Sequence, residues 1–205
     1  MPTPLGPARL LVDAAVRPRR TLILGHGAGV GASAADLVAL ALVLPPRTGT
    51  TVVRVEQPWR VAGRRLAPAP SVLDDAWRAI LPQVGVQGPL VVGGRSAGAR
   101  VACRTARDVA AEAVVALAFP LHPPGRPERS RYEELERAGV PVLVVQGDRD
   151  AFGRPSEFPP GPFDLVSVPA ANHSFAVQRS APLSRSEALE VLVDQVAAWL
   201  GARRE

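Results

Sequence analysis

The 205-residue chain has little cysteine and no lysine: Cys103 is its one cysteine, and arginine supplies all of its basic charge. A single cysteine permits neither an intramolecular disulfide nor a cysteine-based metal cluster, and the three histidines show no metal-ligand spacing. The chain therefore needs no oxidising compartment, and we expect no metal site.

Long hydrophobic runs are also missing. No stretch reaches the length of a membrane span, and the first residues, MPTPLGPARL, do not combine a basic segment with a long apolar one. These two absences favour a cytoplasmic protein with no membrane partner.

The charge of the chain does not favour a nucleic-acid partner. A formal net charge of +5 permits such contact, but binding requires the cations to gather on one stripe or helix. Here the arginines are scattered along the sequence. We therefore expect a solvated surface and no bound nucleic acid.

Aromatic residues make up only 4% of the chain, whereas 47% of its residues are hydrophobic. The core must therefore be built from Val, Leu, Ala and Ile, which suits strands that helices bury on both faces. A chain of 205 residues is long enough for one sizeable core but short for two. The composition thus predicts a single α/β domain over residues 1–205.

Short Val- and Leu-rich runs bounded by Gly or Pro predict seven strands: Arg9 to Ala14, Thr21 to Gly25, Thr51 to Val55, Leu90 to Gly93, Ala113 to Phe119, Val142 to Gln146 and Leu165 to Val168. Helical spacing lies between them, with Ser71 and Asp74 placed as a capping box and Gly201 as a stop after the last helix. Alternating strands and helices predict a doubly wound, mainly parallel sheet that binds ligands at the carboxyl ends of its strands.

The segment Gly94-Arg95-Ser96-Ala97-Gly98 lies between a predicted strand and a predicted helix. This is a G-x-S-x-G pattern, in which a sharp turn strains the serine and exposes its hydroxyl, and the two glycines avoid steric collision. A helix that begins directly after Ser96 also directs backbone N–H groups toward a developing oxyanion. The pattern predicts a nucleophilic Ser96, although five residues alone also fit an ordinary glycine-rich turn.

Acidic and basic partners follow in the order that a serine triad requires. Asp148 and Asp150 come after a later strand, and His173 comes after the next one. His173 is the expected base, and a carboxylate would orient it. Asp150, further into the loop, is the better placed acid, whereas Asp148 is expected to bond backbone N–H groups and hold the turn.

The loop His26-Gly27-Ala28-Gly29 follows an early strand and predicts a second oxyanion donor, the N–H of Ala28, beside that of Ala97. The same loop permits an alternative. Gly27, Gly29 and Ala32 also match G-x-G-x-x-A, the dinucleotide-binding pattern, for which Glu56 is the only candidate ribose-binding carboxylate. That alternative leaves Ser96, the two aspartates and His173 unexplained.

The segments GHGAGVG, GRSAGARVA, FPLHPPGRPE, VQGDRDAFG and NHSFAV together resemble the small α/β-hydrolase branch related to dienelactone hydrolase, which also contains chromatin-complex subunits. The resemblance covers nearly the whole chain. It implies an α/β-hydrolase fold without a cap domain or cofactor, a triad of Ser96, Asp150 and His173, and oxyanion donors at Ala28 and Ala97. Asn172 replaces the Asp or Gly of many relatives, and Asn also tolerates a left-handed turn.

The function expected from these residues is hydrolysis of a small-molecule acyl substrate. Arg95, His122 and Trp59 are candidates for substrate binding, with ion pairing or packing as the alternative for each. A triad serves ester, thioester, amide and peptide bonds alike, so the sequence leaves the substrate open. It also leaves open a hydrolase-fold interaction module without activity.

Overall fold

The computed structural model describes residues 1–203, which contain one seven-stranded sheet in the order β1-β3-β2-β4-β5-β6-β7. All seven predicted strands are confirmed. β1 runs antiparallel to β3, and every other neighbouring pair is parallel. The strands are β1 (Arg9–Asp13), β2 (Arg20–Gly25), β3 (Thr50–Glu56), β4 (Leu90–Arg95), β5 (Ala113–Leu117), β6 (Val142–Gly147) and β7 (Asp164–Val168).

The helices are α1 (Ala35–Thr48), α2 (Pro58–Val61), α3 (Pro70–Ile80), α4 (Ala97–Thr105), α5 (Tyr132–Glu136) and α6 (Arg185–Ala202). Two details of the sequence prediction are wrong. α3 begins at Pro70, which is favourable at a first helical position, so Ser71 does not cap it and Asp74 instead accepts hydrogen bonds from Arg104. α6 continues through Gly201, because packing of its apolar side outweighs the low helix propensity of one glycine.

The core lies on both faces of the sheet, as the Val- and Leu-rich strands predict. In β2, Leu22 and Leu24 belong to the cluster packed by α1 and α6, whereas Ile23 belongs to the cluster packed by α3 and α4. All three side chains are fully buried. Successive side chains of a strand point to opposite faces, so a strand covered on both faces must be apolar throughout.

The carboxyl edge of the sheet carries no cap domain within residues 1–203. The connection between β5 and β6 contains only α5, which is five residues long. No helix in the described part of the chain has both the length and the apolar character needed to span a bilayer.

The strand order decides which loops are neighbours. β2 pairs with both β3 and β4, and Gly25 at the end of β2 is opposite Gly94 in β4. The loop after β2 therefore starts beside the turn after β4, where Ser96 lies. Asp150 follows β6 and His173 follows β7, so all these groups lie at the same edge of the sheet.

Candidate active site

Ser96 occupies a strained turn between β4 and α4. Its φ of 54° lies in the left-handed region, which an L-residue rarely adopts. The turn is possible because Gly94 and Gly98 both pack against the carbonyl oxygen of Gly25, where a Cβ atom at either position would collide with that oxygen. The sequence pattern thus predicted the residue types that this close approach requires.

The turn brings Ser96 into a chain of polar contacts with His173 and Asp150. Nε2 of His173 lies 3.0 Å from Oγ of Ser96, and Nδ1 of His173 lies 2.8 Å from Oδ2 of Asp150. Asp150 is fully buried, and the side chain of His173 is 20% exposed. Three residues that are far apart in the sequence therefore meet with the distances of a proton-transfer chain.

Asp150 is held by two further donors that the sequence analysis did not identify. Nε2 of Gln146 donates to Oδ2 at 2.9 Å, and the backbone N–H of Phe152 donates to Oδ1 at 2.8 Å. Both carboxylate oxygens thus accept hydrogen bonds, which fixes the orientation of the carboxylate. A signal for Gln146 was present, because it is the one polar side chain in the apolar run of β6.

Asp148 does not have the role that the sequence predicted. Its side chain is exposed and accepts no hydrogen bond within residues 1–203; the turn is held instead by backbone bonds such as Asp148 N–H to the oxygen of Val168. The chain turns sharply after Gly147, so the two aspartates do not share an environment although they are two positions apart. Tertiary packing, which the alternation of a strand cannot express, separates them.

The loop that carries His173 is organised by its neighbours in sequence. Oδ1 of Asn172 accepts hydrogen bonds from the backbone N–H groups of Ser174 and Ala176, at 2.8 and 3.1 Å. The left-handed positions nearby are Ala170 and Phe175, with φ of 58° and 51°, and not Asn172 as expected. Asn172 is used for its side-chain oxygen, a common way for Asn to build a turn. The ring of Phe152 packs over the imidazole, with centroids 4.2 Å apart.

One predicted oxyanion donor lies on the loop after β2, and the other lies at the start of α4, directly after Ser96. A Cβ atom on Gly27 would be 3.3 Å from Cβ of Ser96, so the loop after β2 passes directly beside the serine. Ala28 is exposed on this loop, and Ala97 is the first residue of α4. Neither backbone N–H donates to another group in the described part of the chain.

His26 connects the loop after β2 to the end of β3. Its Nε2 accepts from the backbone N–H of Gln57 at 3.1 Å, so its Nδ1 carries the proton and donates to the oxygen of Gly27 at 2.8 Å. Burial lowers the pKa of His26 below its ordinary value of 6.5. A neutral imidazole thus fixes the peptide unit between Gly27 and Ala28.

We predict that His26→Gln reduces the acid sensitivity of the fold. Because the pKa of His26 is lower in the folded than in the unfolded chain, its stabilising contribution is complete above about pH 6.5 and is lost as the pH falls toward the folded value. Thermal unfolding at about pH 7.5 and about pH 5 tests this linkage. The drop in Tm on acidification should be smaller in the variant; an equal drop assigns the acid sensitivity to other groups.

Arg95 is not available for substrate, which corrects the expectation from its place beside Ser96. The residue is 7% exposed, and its Nε lies 3.2 Å from Oδ2 of the equally buried Asp36, without the alignment of a hydrogen bond. Its Nη2 donates to the oxygen of His173 at 2.9 Å and to Oγ of Ser174 at 3.1 Å. The guanidinium is therefore directed into the protein.

His122 and Trp59 are also buried, at 5% and 6% exposure, so the substrate contacts expected of them are not supported. Nδ1 of His122 contacts the oxygen of Pro123, and its Nε2 lies 3.3 Å from Glu157. Trp59 packs against His26, with ring centroids 5.5 Å apart. Both side chains lie beneath the protein surface, where they contact residues of loops near the site.

Cys103 lies on α4 with 1% exposure. Burial raises the pKa of its thiol, which therefore remains protonated and unreactive at neutral pH. Among the described residues, the nucleophile candidate near His173 is thus Ser96 and not the cysteine.

The dinucleotide-binding alternative is wrong. The sheet of that fold has the strand order 3-2-1-4-5-6, whereas the parallel strands of this sheet, counted from β2, have the order 2-1-3-4-5-6. Glu56, the carboxylate the alternative needed, packs against the loop at Gly31 and lies 3.8 Å from Arg9. Gly27 instead allows the close passage of the loop beside Ser96.

Comparison with known proteins supports the fold. An α/β serine hydrolase without a lid from Xanthomonas campestris is 22% identical, with a TM-score of 0.72 over 96% of this chain and 91% of that chain. An α/β serine hydrolase homologue from Coxiella burnetii is 19% identical, with a TM-score of 0.70 over 96% and 95% of the two chains. Dienelactone hydrolase from Anabaena variabilis is 17% identical, with a TM-score of 0.69 over 94% and 90%.

These structures show which fold the chain has, and a family model also shows which family it belongs to. The model described as an alpha/beta hydrolase domain matches residues 18–201, a span that contains every strand except β1. The match includes the turn at Ser96 and the loops of Asp150 and His173. The chain therefore belongs to the α/β-hydrolase domain family.

Proposed function

We propose that the protein is a carboxylic ester hydrolase in which Ser96 is the nucleophile, His173 the base and Asp150 the orienting acid. One observation carries the proposal: the strained Ser96 hydroxyl, the imidazole and the buried carboxylate form a continuous chain with contacts of 3.0 and 2.8 Å. A fold needs no such chain for its stability. Catalysis requires all three groups together.

His173 can act as a base because its two ring nitrogens face different partners. Asp150 only accepts hydrogen bonds when ionised, so Nδ1 carries the proton and Nε2 is free to accept one. In the reaction, Oγ of Ser96 attacks the acyl carbon while its proton moves to Nε2. The carboxylate of Asp150 then stabilises the imidazolium.

The oxyanion of the tetrahedral intermediate would bind the N–H groups of Ala28 and Ala97. Ala97 starts α4, so the positive end of the helix adds to its N–H. His26 supports Ala28 because it holds the oxygen of Gly27, which belongs to the same peptide unit as the Ala28 N–H. A planar trans peptide points its N–H away from its C=O, so fixing one fixes the other.

Collapse of the intermediate releases the alcohol, which takes the proton from Nε2, and leaves an acyl group on Ser96. Water attacks this acyl-enzyme with His173 again as base, and the acid product and free Ser96 result. The reaction as proposed uses no cofactor. Its substrate is a small acyl compound that enters at the uncapped carboxyl edge; an ester is proposed because an alkoxide departs more readily than an amide anion.

Labelling with a fluorophosphonate tests the proposal. An activated serine attacks such a probe, so the wild-type protein should become covalently labelled, and peptide mass spectrometry should locate the label on Ser96. Ser96→Ala should abolish labelling, and Ser71→Ala, at an exposed serine on α3, should leave it unchanged. A folded wild-type protein that resists the probe and hydrolyses none of a panel of short esters would instead support a non-catalytic interaction module.

A further inference from the structure

The residue before the nucleophile occupies an unusual position. Arg95 ends β4, yet its side chain contacts both of the other segments that build the site. It pairs with Asp36 in the first turn of α1, which follows the loop of Gly27, and it donates to the backbone of the His173 loop. Nη1 also lies below Gly27, 3.9 Å from where a Cβ atom of that residue would be.

We propose that Arg95 is a positioning residue that holds the base loop against the nucleophile turn through the carbonyl oxygen of His173. The inference rests on the proposed function, since it assigns a role in the same reaction. Arg95 touches neither the substrate nor the reacting atoms. It acts on the backbone from which the imidazole extends.

The contacts explain how one guanidinium restrains an imidazole. Arg95 holds the oxygen of His173 and the hydroxyl of Ser174, while Asn172 holds the N–H groups on the far side of the turn. The backbone at His173 is thus tied on both sides. Only the side-chain torsions of His173 then remain, and Asp150 and the ring of Phe152 restrict these.

Stability does not account for a charged residue at this position. Burial raises the pKa of Asp36, although the charge of Arg95 acts to lower it. Desolvation therefore destabilises the ionised carboxylate more than the pairing with Arg95 stabilises it. A neutral pair of similar volume often serves a fold equally well. What a neutral residue cannot supply is the charged donor on the oxygen of His173 and on Ser174.

Arg95→Met is expected to lower both Tm and kcat. Asp36 is left buried without a counter-charge, which lowers Tm, and the His173 loop loses its donors, which lowers kcat. A shift of the base by about 1 Å is enough to reduce turnover by about 100-fold. Binding of the ester does not depend on this loop contact, so KM should change little.

The double variant Arg95→Met, Asp36→Asn separates the two effects. Removal of both charges should restore Tm toward the wild-type value, but kcat for a short ester should stay about 10- to 100-fold low, because the donors to the His173 loop are still missing. Arg95→Lys keeps the charge but not the planar fork, and it should give an intermediate kcat. If kcat recovers together with Tm in the double variant, the pair is only structural and the proposal is wrong.

A matched control uses a different Arg–Asp pair, Arg104 and Asp74, which joins α4 to α3. Arg104 also donates to Glu134, which keeps Arg100 as a partner when Arg104 is replaced. The double variant Arg104→Met, Asp74→Asn removes the same chemical groups without touching the His173 loop. Its kcat in the folded protein should equal that of the wild type. A similar fall in kcat there would assign the effect of Arg95 to general loosening of the fold.

A spectroscopic measurement tests this inference independently of the proposed function. In protein labelled with 15N-histidine, the Nδ1–H proton of His173 beside Asp150 should give a protected NMR signal, assigned by its loss in His173→Gln. That signal should broaden or disappear in the Arg95 double variant and persist in the Arg104 control, whether or not the wild type hydrolyses esters. A signal unchanged in the Arg95 double variant overturns the proposal.

Discussion

His173→Ala is expected to lower kcat/KM for a short ester by about 10⁴-fold or more, because triad members act as a unit and the remaining rate comes from the oxyanion donors and from binding. KM should change little, since the imidazole accepts a proton and does not hold the substrate. The measurement is steady-state hydrolysis at about pH 8, with folding checked by circular dichroism.

Two histidines serve as controls for this prediction. His122→Ala removes a buried side chain whose contacts are Pro123 and Glu157, and its effect on turnover should be small. His26→Ala should have an intermediate effect, because it loosens the peptide unit between Gly27 and Ala28 but leaves the proton-transfer chain intact. If His122→Ala proves the most damaging of the three, the base is wrongly assigned.

Asp150→Asn is expected to lower turnover by about 10⁴-fold. The carboxylate receives three donors, from His173, Gln146 and the N–H of Phe152, and an amide cannot accept all three. If the amide oxygen accepts from His173 and Gln146, the NH₂ group faces the N–H of Phe152, which then has no acceptor. If the amide is flipped, its NH₂ group faces the N–H groups of His173 and Gln146, and both of these donors lack an acceptor. Since at least one buried donor is unsatisfied in either case, Tm should fall as well.

Asp148→Asn is the matched control, with the same chemical change two positions away. The sequence predicted that Asp148 holds the turn, but its exposed side chain makes no hydrogen bond within residues 1–203, so we expect no change in turnover or Tm. Both variants are measured for kcat/KM and thermal unfolding. A folded but inactive Asp148→Asn beside an active Asp150→Asn would reverse the assignment.

The elements of this fold could be predicted because their signals are local. Each parallel strand is a short Val- and Leu-rich run, since burial on both faces favours apolar residues. The turn at Ser96 could also be predicted, because a strained residue and a close approach to Gly25 leave glycine as the only choice at Gly94 and Gly98. The short helix α2 was missed, because four residues do not show a helical period.

The roles of individual side chains could not be predicted in the same way. Arg95 is adjacent to Ser96 in sequence, and His122 and Trp59 follow strands of the sheet, so these positions suggested contact with a substrate. Each is nevertheless buried. Residue type and position along the chain do not reveal on which side of a loop a side chain lies, because that direction depends on segments far away in the sequence.

The sequence by itself determined the order of strands and helices and the chain order of serine, carboxylate and histidine, because periodicity, glycine spacing and loop position are properties of neighbouring residues. The sequence favoured Asp150 over Asp148, but only the tertiary structure shows the contact of Asp150 with His173 and brings Arg95 to Asp36 and to the carbonyl of His173. These contacts join residues separated by 23 to 78 positions. Whether a charged side chain is buried with a partner or left in water is settled by the packing of whole strands and helices, which no local pattern contains.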